Sequence, residues 1–319
     1  MKNIFILGGS GFVGSHVCEK LARQGHQLTV ATRRRRNAQH LQHLPGLTVV
    51  ELDVHDGRAL SAALAGHDVL INLVAILHGT AQQFERVHVA LPKTIAQACC
   101  HNAVAQVVHI SALGADALQP TKAPSMYLRS KGEGEAVLLQ AAQGAGAGEL
   151  AGKGFDLSIL RPSVIFGAED QFINLFAKLQ RLAPVMPLAG ANARFQPVWV
   201  QDVAQAVVCC VQGVPNLSSP RTLEACGPDV FTLRQLVQLA GCLSGAGNGR
   251  GRPVIALPDW AGRLQASLMS LLPGEPLMSV DNLDSMRRDN VATPGHAGLK
   301  LLGIDPAPLE PVAREFLRP

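Results

Sequence analysis

Tyr127 and Lys131 are side chains whose types and spacing suit acid–base chemistry. Residues four apart lie on one face of a helix, so the phenol and the ammonium group would point the same way. A nearby cation lowers the pKa of a phenol toward neutral pH and makes it a usable proton donor or acceptor. Tyr127 is the single tyrosine of the chain, so no second tyrosine competes for this role.

A glycine-rich segment follows the apolar residues 4–7. Apolar residues at helical spacing come next, so the pattern predicts a strand, a tight turn and a helix. Gly8 would let the chain turn, Gly11 would let backbone N–H groups reach a pyrophosphate, and Gly14 would let the helix pack closely. A turn without a ligand is the alternative. The residues predicted to contact a dinucleotide here are Gly8, Ser10, Gly11, Phe12, Val13 and Gly14.

Four consecutive arginines, Arg33 to Arg36, follow the second predicted strand. Proteins that select NAD usually place an acid here to bond the ribose hydroxyls, whereas an arginine accommodates the 2′-phosphate of NADP. The sequence therefore favours NADP(H) over NAD(H), with Arg33 and Arg34 as phosphate ligands and the other two at the surface. The alternative is a basic turn that contacts only solvent.

Asp53 and Val54 stand at the end of the third predicted strand. An acid at this position can accept a hydrogen bond from the adenine amino group, so both residues are predicted to bind the nucleotide. An acid at a strand end also commonly caps the next turn, and that alternative stays open.

Strands and helices alternate through the first half of the chain. Apolar runs predict strands at residues 28–31, 47–51, 69–74, 106–110 and 156–160, with helices between them at 58–64 and 84–100. Such a pattern indicates an α/β fold, a Rossmann-type doubly wound parallel sheet with a smaller, discontinuous C-terminal lobe. The predicted domains are a dinucleotide-binding domain, 1–166, with returning segments near 190–215, and a substrate or partner lobe, 167–319. Small residues predict flexible segments at 141–152 and 244–252.

Composition indicates a globular protein of 319 residues, 47% of them hydrophobic. A net charge of +4 and only 4% aromatic residues argue against nucleic acid as a partner. Seven scattered cysteines without a Cys-x-x-Cys motif are typical of buried thiols in a reducing compartment. Without a signal peptide or an apolar run of membrane-spanning length, we expect a cytoplasmic protein. Peripheral attachment at the inner face of the membrane stays open.

Three further features receive structural interpretations. His40 and His43 lack a third ligand nearby, so no metal is expected. Asp202 is interpreted as a helix N-cap. An apolar stripe in residues 260–272 is expected to pack within its own lobe, with a partner or a membrane surface as the alternative. The stripe consists of Trp260, Leu264, Leu268, Leu271 and Leu272.

Four motifs together resemble the short-chain dehydrogenase/reductase superfamily, in its extended or atypical epimerase/dehydratase branch. They are the glycine turn, Tyr127 with Lys131, residues 160–167 and residues 198–204. The resemblance implies a Rossmann fold in which Lys131 also bonds the nicotinamide ribose. It implies further that Val74 and Ala75 pass beside the cofactor and that Pro162, Ser163 and Val164 border the nicotinamide.

A narrower resemblance links segments 72–75, 109–115, 125–131 and 194–198 to the NADPH-binding accessory subunits of respiratory complex I, the alpha subcomplex subunit 9 family, and their bacterial relatives. This resemblance implies a bound dinucleotide. It also raises association with a respiratory complex or with a membrane surface as an expectation.

One position departs from the superfamily pattern. Active members carry a Ser or Thr near the end of strand five, and its hydroxyl bonds the substrate oxygen beside the tyrosine. The alignment puts Ala112 there, and Ser111 takes the catalytic role only if the register shifts by one residue. Loss of one such donor commonly raises the barrier by about 2–4 kcal/mol.

Two functions therefore follow from the sequence. In the first, the protein holds NADP(H) with weak activity or none, and the C-terminal lobe engages a partner. In the second, it is an NADPH-dependent oxidoreductase or epimerase acting on a small apolar, quinone-like or sugar-nucleotide substrate, with Tyr127 as proton donor and Lys131 lowering its pKa. The second lobe lacks an evident arginine cluster suited to a sugar nucleotide, which argues against a sugar epimerase.

Overall fold

The computed structural model describes residues 1–144, 154–214, 217–269 and 278–317. Seven strands form one parallel sheet, in the spatial order β11-β6-β5-β4-β1-β2-β3. These strands are β1 (Asn3–Leu7), β2 (Gln27–Thr32), β3 (Leu47–Glu51), β4 (Val69–Asn72), β5 (Gln106–Ile110), β6 (Asp156–Pro162) and β11 (Arg221–Ala225). The strand order reverses beside β1, and in open sheets of this type the crevice at such a switch point receives the ligand.

Helices cover both faces of the sheet. Side chains of successive strand residues point to opposite faces, and residues 4–7 of β1 are all buried, so neither face is open to solvent. One face carries α1 (Phe12–Arg23) and α7 (Val200–Gln212); the other carries α2 (Gly57–Leu64), α4 (Leu91–His101) and α5 (Met126–Ala142). Between β4 and α4 lie α3 (Ala81–Phe84) and one π-helical turn, Glu85–Ala90.

The smaller lobe is built from pieces that follow β6. Its helices are α6 (Ile173–Leu182), α8 (Leu233–Leu243), α9 (Asp259–Met269), α10 (Val280–Ser285) and α11 (Leu309–Phe316). Three two-stranded sheets complete it: β7 (Ile165–Phe166) with β10 (Val198–Trp199), β8 (Met186–Leu188) with β13 (Val254–Ala256), and β9 (Arg194–Phe195) with β12 (Phe231–Thr232). Its apolar core includes Phe176, Leu236, Val237 and Leu309.

The sequence expectations of the fold class are confirmed, and the differences have local causes. Strand β4 ends at Asn72, because the Asn72 side-chain oxygen accepts the N–H of Val74 at 3.1 Å and turns the chain out of the ladder. Asp202 is not an N-cap: α7 begins at Val200, and the Asp202 carboxylate accepts the N–H of Ala307 at 2.8 Å. Residues 145–152 of the predicted flexible segment lie outside the described residues.

The segment 244–252, expected to be flexible, is a set of bonded turns. The Gln238 amide donates to the carbonyl of Arg250 at 2.6 Å, and the N–H of Ala246 donates to Gly241 at 3.0 Å. Ala246 is buried. This part of the chain therefore packs against α8.

The apolar stripe of α9 does not pack as expected. Trp260 and Leu264 are 71% and 56% exposed, whereas Ala266 is buried against Ala189. The remaining stripe residues, Leu268, Leu271 and Leu272, lie outside the described side chains. Among the described helices, none combines the length and apolar character that crossing a bilayer requires.

Candidate functional site

The glycine turn lies against the end of β4. Gly8 has φ +78°, and a Cβ there would come within 3.0 Å of the Leu73 carbonyl carbon. A Cβ on Gly14 would collide with the backbone of Gly8, which holds α1 close to the turn. Both glycines are therefore required by the protein's own packing.

Gly11 differs from these two glycines. It is exposed, its φ is −86°, and a Cβ there would meet only the Gly8 oxygen, at 3.4 Å. Nothing in the protein itself demands glycine at this position. As the N-cap of α1, Gly11 also supplies no side chain to the first N–H groups of that helix. Open space and uncapped donors at a helix N-terminus fit a pyrophosphate.

The basic turn after β2 remains accessible. Arg33 and Arg34 are exposed. An acid that sequence reasoning missed, Glu51, lies beside Thr32 on the neighbouring strand, and its carboxylate accepts the N–H of Arg35 at 3.0 Å. Glu51 reaches this position only through the pairing of β2 with β3, which no pattern along β2 indicates. Phosphate binding by Arg33 and Arg34 stays a prediction.

Asp53 makes local contacts at the end of β3. One carboxylate oxygen accepts the N–H of His55 at 3.0 Å, and the other lies 3.7 Å from the guanidinium of Arg86. Burial and the positive charges of Arg86 and Arg33 lower the pKa of His55, with Asp53 opposing them. The capping role is thus present in the fold, and the adenine role of Asp53 and Val54 stays a prediction.

Asn72 fixes the chain beside the glycine turn. Because its oxygen accepts the N–H of Val74, its amide nitrogen faces Nδ1 of His109 and donates to it at 3.0 Å. Burial, together with the charges of Lys131 and His88, keeps the pKa of His109 well below its usual range, so the ring is a neutral acceptor. Val74 therefore lies next to Gly8, where a Cβ would come 3.2 Å from the Val74 nitrogen. Cofactor contact by Val74 and Ala75 stays a prediction.

Lys131 is buried at the base of α5. Its ammonium group donates to the carbonyl of Ile110, the last residue of β5, at 2.8 Å. Burial lowers the pKa of Lys131 to about 8, and the nearby Glu135 carboxylate opposes this shift. Glu135 is itself buried and accepts Arg161 Nε at 2.9 Å, which fastens α5 to β6.

Tyr127 is half-buried, and its ring contacts Phe84 and His88 at centroid distances of 6.2 and 5.5 Å. Burial raises the pKa of Tyr127. The expected lowering by Lys131 is wrong, because that ammonium group is bonded to the Ile110 carbonyl and burial dominates.

His88 is a second residue that sequence reasoning missed. Its Nε2 accepts the N–H of Ile76 at 3.2 Å, so the proton lies on Nδ1, which donates to Ser130 Oγ at 2.9 Å. Ser130 in turn donates to the Tyr127 carbonyl at 2.9 Å. Burial, aided by the charge of Lys131, lowers the pKa of His88 to about 2. A lone histidine in an apolar helix gave no signal for this contact.

Ser111 and Ala112 directly follow β5. Ala112 forms a small apolar cluster with Ala123 and Leu128, and the Tyr127 side chain packs against this cluster. Ser111 donates its N–H to the Leu160 carbonyl at 2.7 Å, and its buried hydroxyl has no hydrogen-bond partner among the described residues. The catalytic role of Ser111 stays a prediction.

The small lobe contributes a stretch of chain, residues 279–293, that we call the crossing segment. Asp281 in this segment accepts the N–H groups of Met126 and Tyr127 at 2.7 and 3.0 Å, and Ser285 donates to Ser125, the N-cap of α5, at 2.8 Å. The carboxylate therefore sits at the positive end of the helix that carries Tyr127 and Lys131.

Asn290 continues the crossing segment over the end of β6. Its side-chain oxygen accepts Ser163 Oγ at 2.6 Å and the N–H of Val164 at 3.1 Å, and its nitrogen lies 3.5 Å from the Leu113 carbonyl. Further along, the N–H of Thr293 donates to Glu224 of β11 at 2.7 Å. The predicted nicotinamide border is thus bonded to the small lobe. No local pattern could reveal these partners, which lie between 69 and 177 residues apart in the sequence.

The remaining ligand expectations concern metals. His40 lies in a 3-10 helix, Arg35–Leu41, and its Nε2 is 2.9 Å from Ser15 Oγ. In the described ranges, no group of three His, Cys, Asp or Glu side chains is arranged to hold a metal ion.

Comparison with known proteins decides the family. A sequence profile described as the NAD dependent epimerase/dehydratase family matches residues 4–226. The chain belongs to this family. Its members and their solved relatives bind nicotinamide dinucleotides, so dinucleotide binding is supported by family as well as by the turn.

Two relatives and one solved structure illustrate the range of the family. The mouse mitochondrial NADH dehydrogenase [ubiquinone] 1 alpha subcomplex subunit 9 is 30% identical over 325 residues, covering 98% of this chain and 79% of the mouse protein. A ceramide reductase of Caulobacter vibrioides is 29% identical, covering 80% and 74%. The fold matches UDP-glucuronic acid 4-epimerase of Bacillus cereus, solved with NAD, at a TM-score of 0.68 and 16% identity, over 99% and 98% of the two chains.

Proposed function

We propose that this protein binds NADP(H) in the crevice after β1 and holds it with slow or no turnover. The observation that carries the proposal is the position of Asp281. Its carboxylate accepts hydrogen bonds from the N–H groups of Met126 and Tyr127, at the N-terminus of α5. An anionic substrate group would gain most from the helix dipole at this same helix end. A sugar nucleotide would have to displace a carboxylate of the protein itself.

Two features of the chemistry support holding over turnover. Burial raises the pKa of Tyr127, so the phenol is a weaker acid and a poorer proton donor at neutral pH. Ala112 places a methyl group where active relatives carry a hydroxyl. The cofactor contacts, in contrast, depend on backbone groups and on Lys131, which these features leave intact.

The preference for NADP(H) over NAD(H) rests on Arg33 and Arg34. Both are exposed, and the positive charges of Arg33 and Arg86 both act on His55. A 2′-phosphate gains from such a concentration of positive charge, whereas the ribose hydroxyls of NAD do not.

The mouse relative, by its name, belongs to an NADH dehydrogenase, and this supports association with a respiratory complex as the partner of the small lobe. We propose a cytoplasmic protein attached peripherally at the inner face of the membrane. Co-purification followed by mass spectrometry of nucleotides and proteins tests the cofactor and the partner in one preparation.

The decisive experiment measures binding and turnover on the same protein. Calorimetry is expected to show tight NADPH binding, while NADPH oxidation stays slow or undetectable on panels of carbonyls, quinones and sugar nucleotides. Tyr127→Phe should leave nucleotide affinity nearly unchanged, and Lys131→Ala should weaken it, because only the lysine is expected to bond the ribose. Robust NADPH oxidation that disappears in Tyr127→Phe would overturn the proposal.

Ser111 favours a second function. Its buried hydroxyl has no hydrogen-bond partner among the described residues, and the next residue, Ala112, belongs to the apolar cluster against which Tyr127 packs. It could therefore bond a substrate carbonyl oxygen while Tyr127 donates the proton and the nucleotide supplies the hydride. A small apolar carbonyl substrate fits this arrangement, and the ceramide reductase relative is consistent with it. Loss of oxidation activity in Ser111→Ala would establish this function.

A further inference from the structure

Exposed apolar side chains are concentrated on one part of the small lobe. Leu182, Val185, Ile255, Trp260 and Leu264 are between 37% and 73% exposed. We call these five residues the apolar surface. Large apolar side chains grouped on a surface commonly mark a binding site.

Strand pairing and helix packing bring these residues to the same region. Leu182 ends α6 and Val185 directly precedes β8, while Ile255 lies in β13, opposite Pro187 of β8. Helix α9 begins three residues after β13. Its Gly262 and Ala266 face Ala189, so Trp260 and Leu264 point away from the body of the lobe.

A cationic cavity adjoins the apolar surface. Its volume is about 510 Å³, and it is lined by Arg181, Arg252 and the turn residues 244–248. Arg181 directly precedes Leu182, and Arg252 lies three residues before Ile255. Within the described part of the chain, the buried Nε of Arg252 has no hydrogen-bond acceptor. A buried guanidinium donor without an acceptor is costly, and an anion in the cavity would satisfy it.

Charge around this region is predominantly positive. Lys178 and Arg250 are exposed and lie on the chain segments that form the cavity. The neighbouring acid, Asp259, already pairs with Arg263 at 3.1 Å. A surface of this composition repels a basic partner and attracts an anionic one.

We infer that the apolar surface and its cationic cavity dock the protein on a bilayer that contains anionic phospholipids. Arg181 and Arg252 hold a lipid phosphate, while Trp260, Leu264 and Ile255 enter the boundary between headgroups and acyl chains. An indole with aliphatic neighbours suits that boundary, and nearby arginines add attraction to the anionic surface. This inference rests on the peripheral membrane attachment in the proposed function and names the surface that makes the contact. The surface is remote in sequence from the nucleotide crevice, so failure of vesicle binding would leave the proposed nucleotide binding untouched.

Vesicle flotation with the full-length protein tests the inference. The protein is expected to float at least about tenfold better with phosphatidylcholine vesicles that contain phosphatidylglycerol than with phosphatidylcholine alone. Binding should weaken at high salt, and the tryptophan emission should shift to the blue. Equal binding to both vesicles, or none to either, would overturn the inference.

Substitutions assign the binding to this surface. Removing one charge, in Arg252→Gln, should weaken vesicle binding about fivefold, and Trp260→Ser should abolish the emission shift. The matched controls are Arg23→Gln and Leu118→Ser, an exposed cation and an exposed leucine elsewhere, and both should bind like the parent. Thermal midpoints show whether each variant is folded. Variants that bind like their controls would contradict the assignment.

Two further outcomes name other occupants. Calorimetric binding of glycerol phosphate without any vesicle binding would mean that the cavity takes a free phosphate. A dimer in sedimentation that Trp260→Ser converts to a monomer would mean that a second copy covers the surface. Either result would overturn membrane docking.

Discussion

In the described part of the chain, the nucleotide end of the site, after β1 and β2, has unbonded and accessible groups, whereas the corresponding groups of the substrate end, after β5 and β6, are bonded. After β1 and β2, the chain presents an accessible glycine, an uncapped helix N-terminus and exposed arginines. After β5 and β6, the corresponding groups are already bonded to the crossing segment, through Asp281, Arg288 and Asn290. The first end is arranged for a ligand and the second end is occupied by the protein's own chain. This contrast supports the proposed holding role, in which the nucleotide crevice is kept and the substrate side is bonded to the protein's own chain.

The largest expected effect comes from Gly11→Val. The added side chain enters open space, so the protein should fold with an unchanged thermal midpoint, while NADPH affinity should fall by a factor on the order of 100 or more. The matched variant Gly14→Val should instead fail to fold, because its Cβ meets backbone atoms of Gly8 and Gly9. NADPH binding by Gly11→Val at parental affinity would show that the turn is structural.

Lys131→Met tests how strongly burial acts on the lysine. The folded-state pKa is lowered from 10.5 to about 8, so between these values the unfolded chain binds more protons and stability rises with pH. The gap corresponds to roughly 3 kcal/mol of unfolding free energy. Urea unfolding at pH 7.5 and pH 10 should show this rise in the parent and its absence in Lys131→Met. An equal pH dependence in both proteins would contradict the buried, shifted lysine.

Asn290→Ala should destabilise the substrate end of the site, after β6, and leave the nucleotide end after β1 and β2 unchanged. Removing the acceptor leaves the Ser163 hydroxyl and the Val164 N–H unpaired, which should cost about 1–3 kcal/mol in urea unfolding. NADPH affinity should fall, whereas 2′,5′-ADP, which lacks the nicotinamide, should bind as in the parent. Asn37→Ala, in the exposed 3-10 helix, is the control. Equal losses for both ligands would mean that the two ends are not separable.

The smallest effect is expected at the basic turn. Arg33→Ala should weaken NADPH binding about tenfold and leave NADH binding nearly unchanged, because only the 2′-phosphate needs the guanidinium. The difference should shrink at higher salt, since the arginine is exposed. Arg36→Ala serves as the control. If the parent binds both nucleotides equally, the preference for NADP(H) is wrong.

Local patterns predicted what depends on neighbours in sequence. The strands predicted at 47–51 and 106–110 have the same bounds as β3 and β5. The glycine turn and the pair Tyr127 and Lys131 were also predictable, because each depends on spacing within one short segment. Strand β11 was missed, because its Arg221 and Glu224 interrupt the apolar pattern expected of a buried strand. Both charges are bonded inside the fold, to Asp156 and Thr293.

Tertiary contacts account for the rest of the site. Asp281 is bonded to Tyr127 across 154 positions, and no periodicity connects them. The pKa of Tyr127 is raised, whereas the sequence predicted that Lys131 would lower it. Helical spacing determines which way a side chain points, but the packing of the folded protein determines how far it is removed from water. Such properties belong to the folded molecule and not to any segment of it.

The ribosome completes the two sides of the site at different times, because their residues lie far apart along the chain. Strands β1 to β5, which frame the nucleotide crevice, are complete by residue 110, whereas the crossing segment begins at residue 279. At ribosomal elongation speeds, this interval corresponds to roughly 8–34 s. We therefore expect cellular NADPH to meet an emerging chain whose substrate side is still uncovered, and to be bound before the chain from residue 279 onward folds over it.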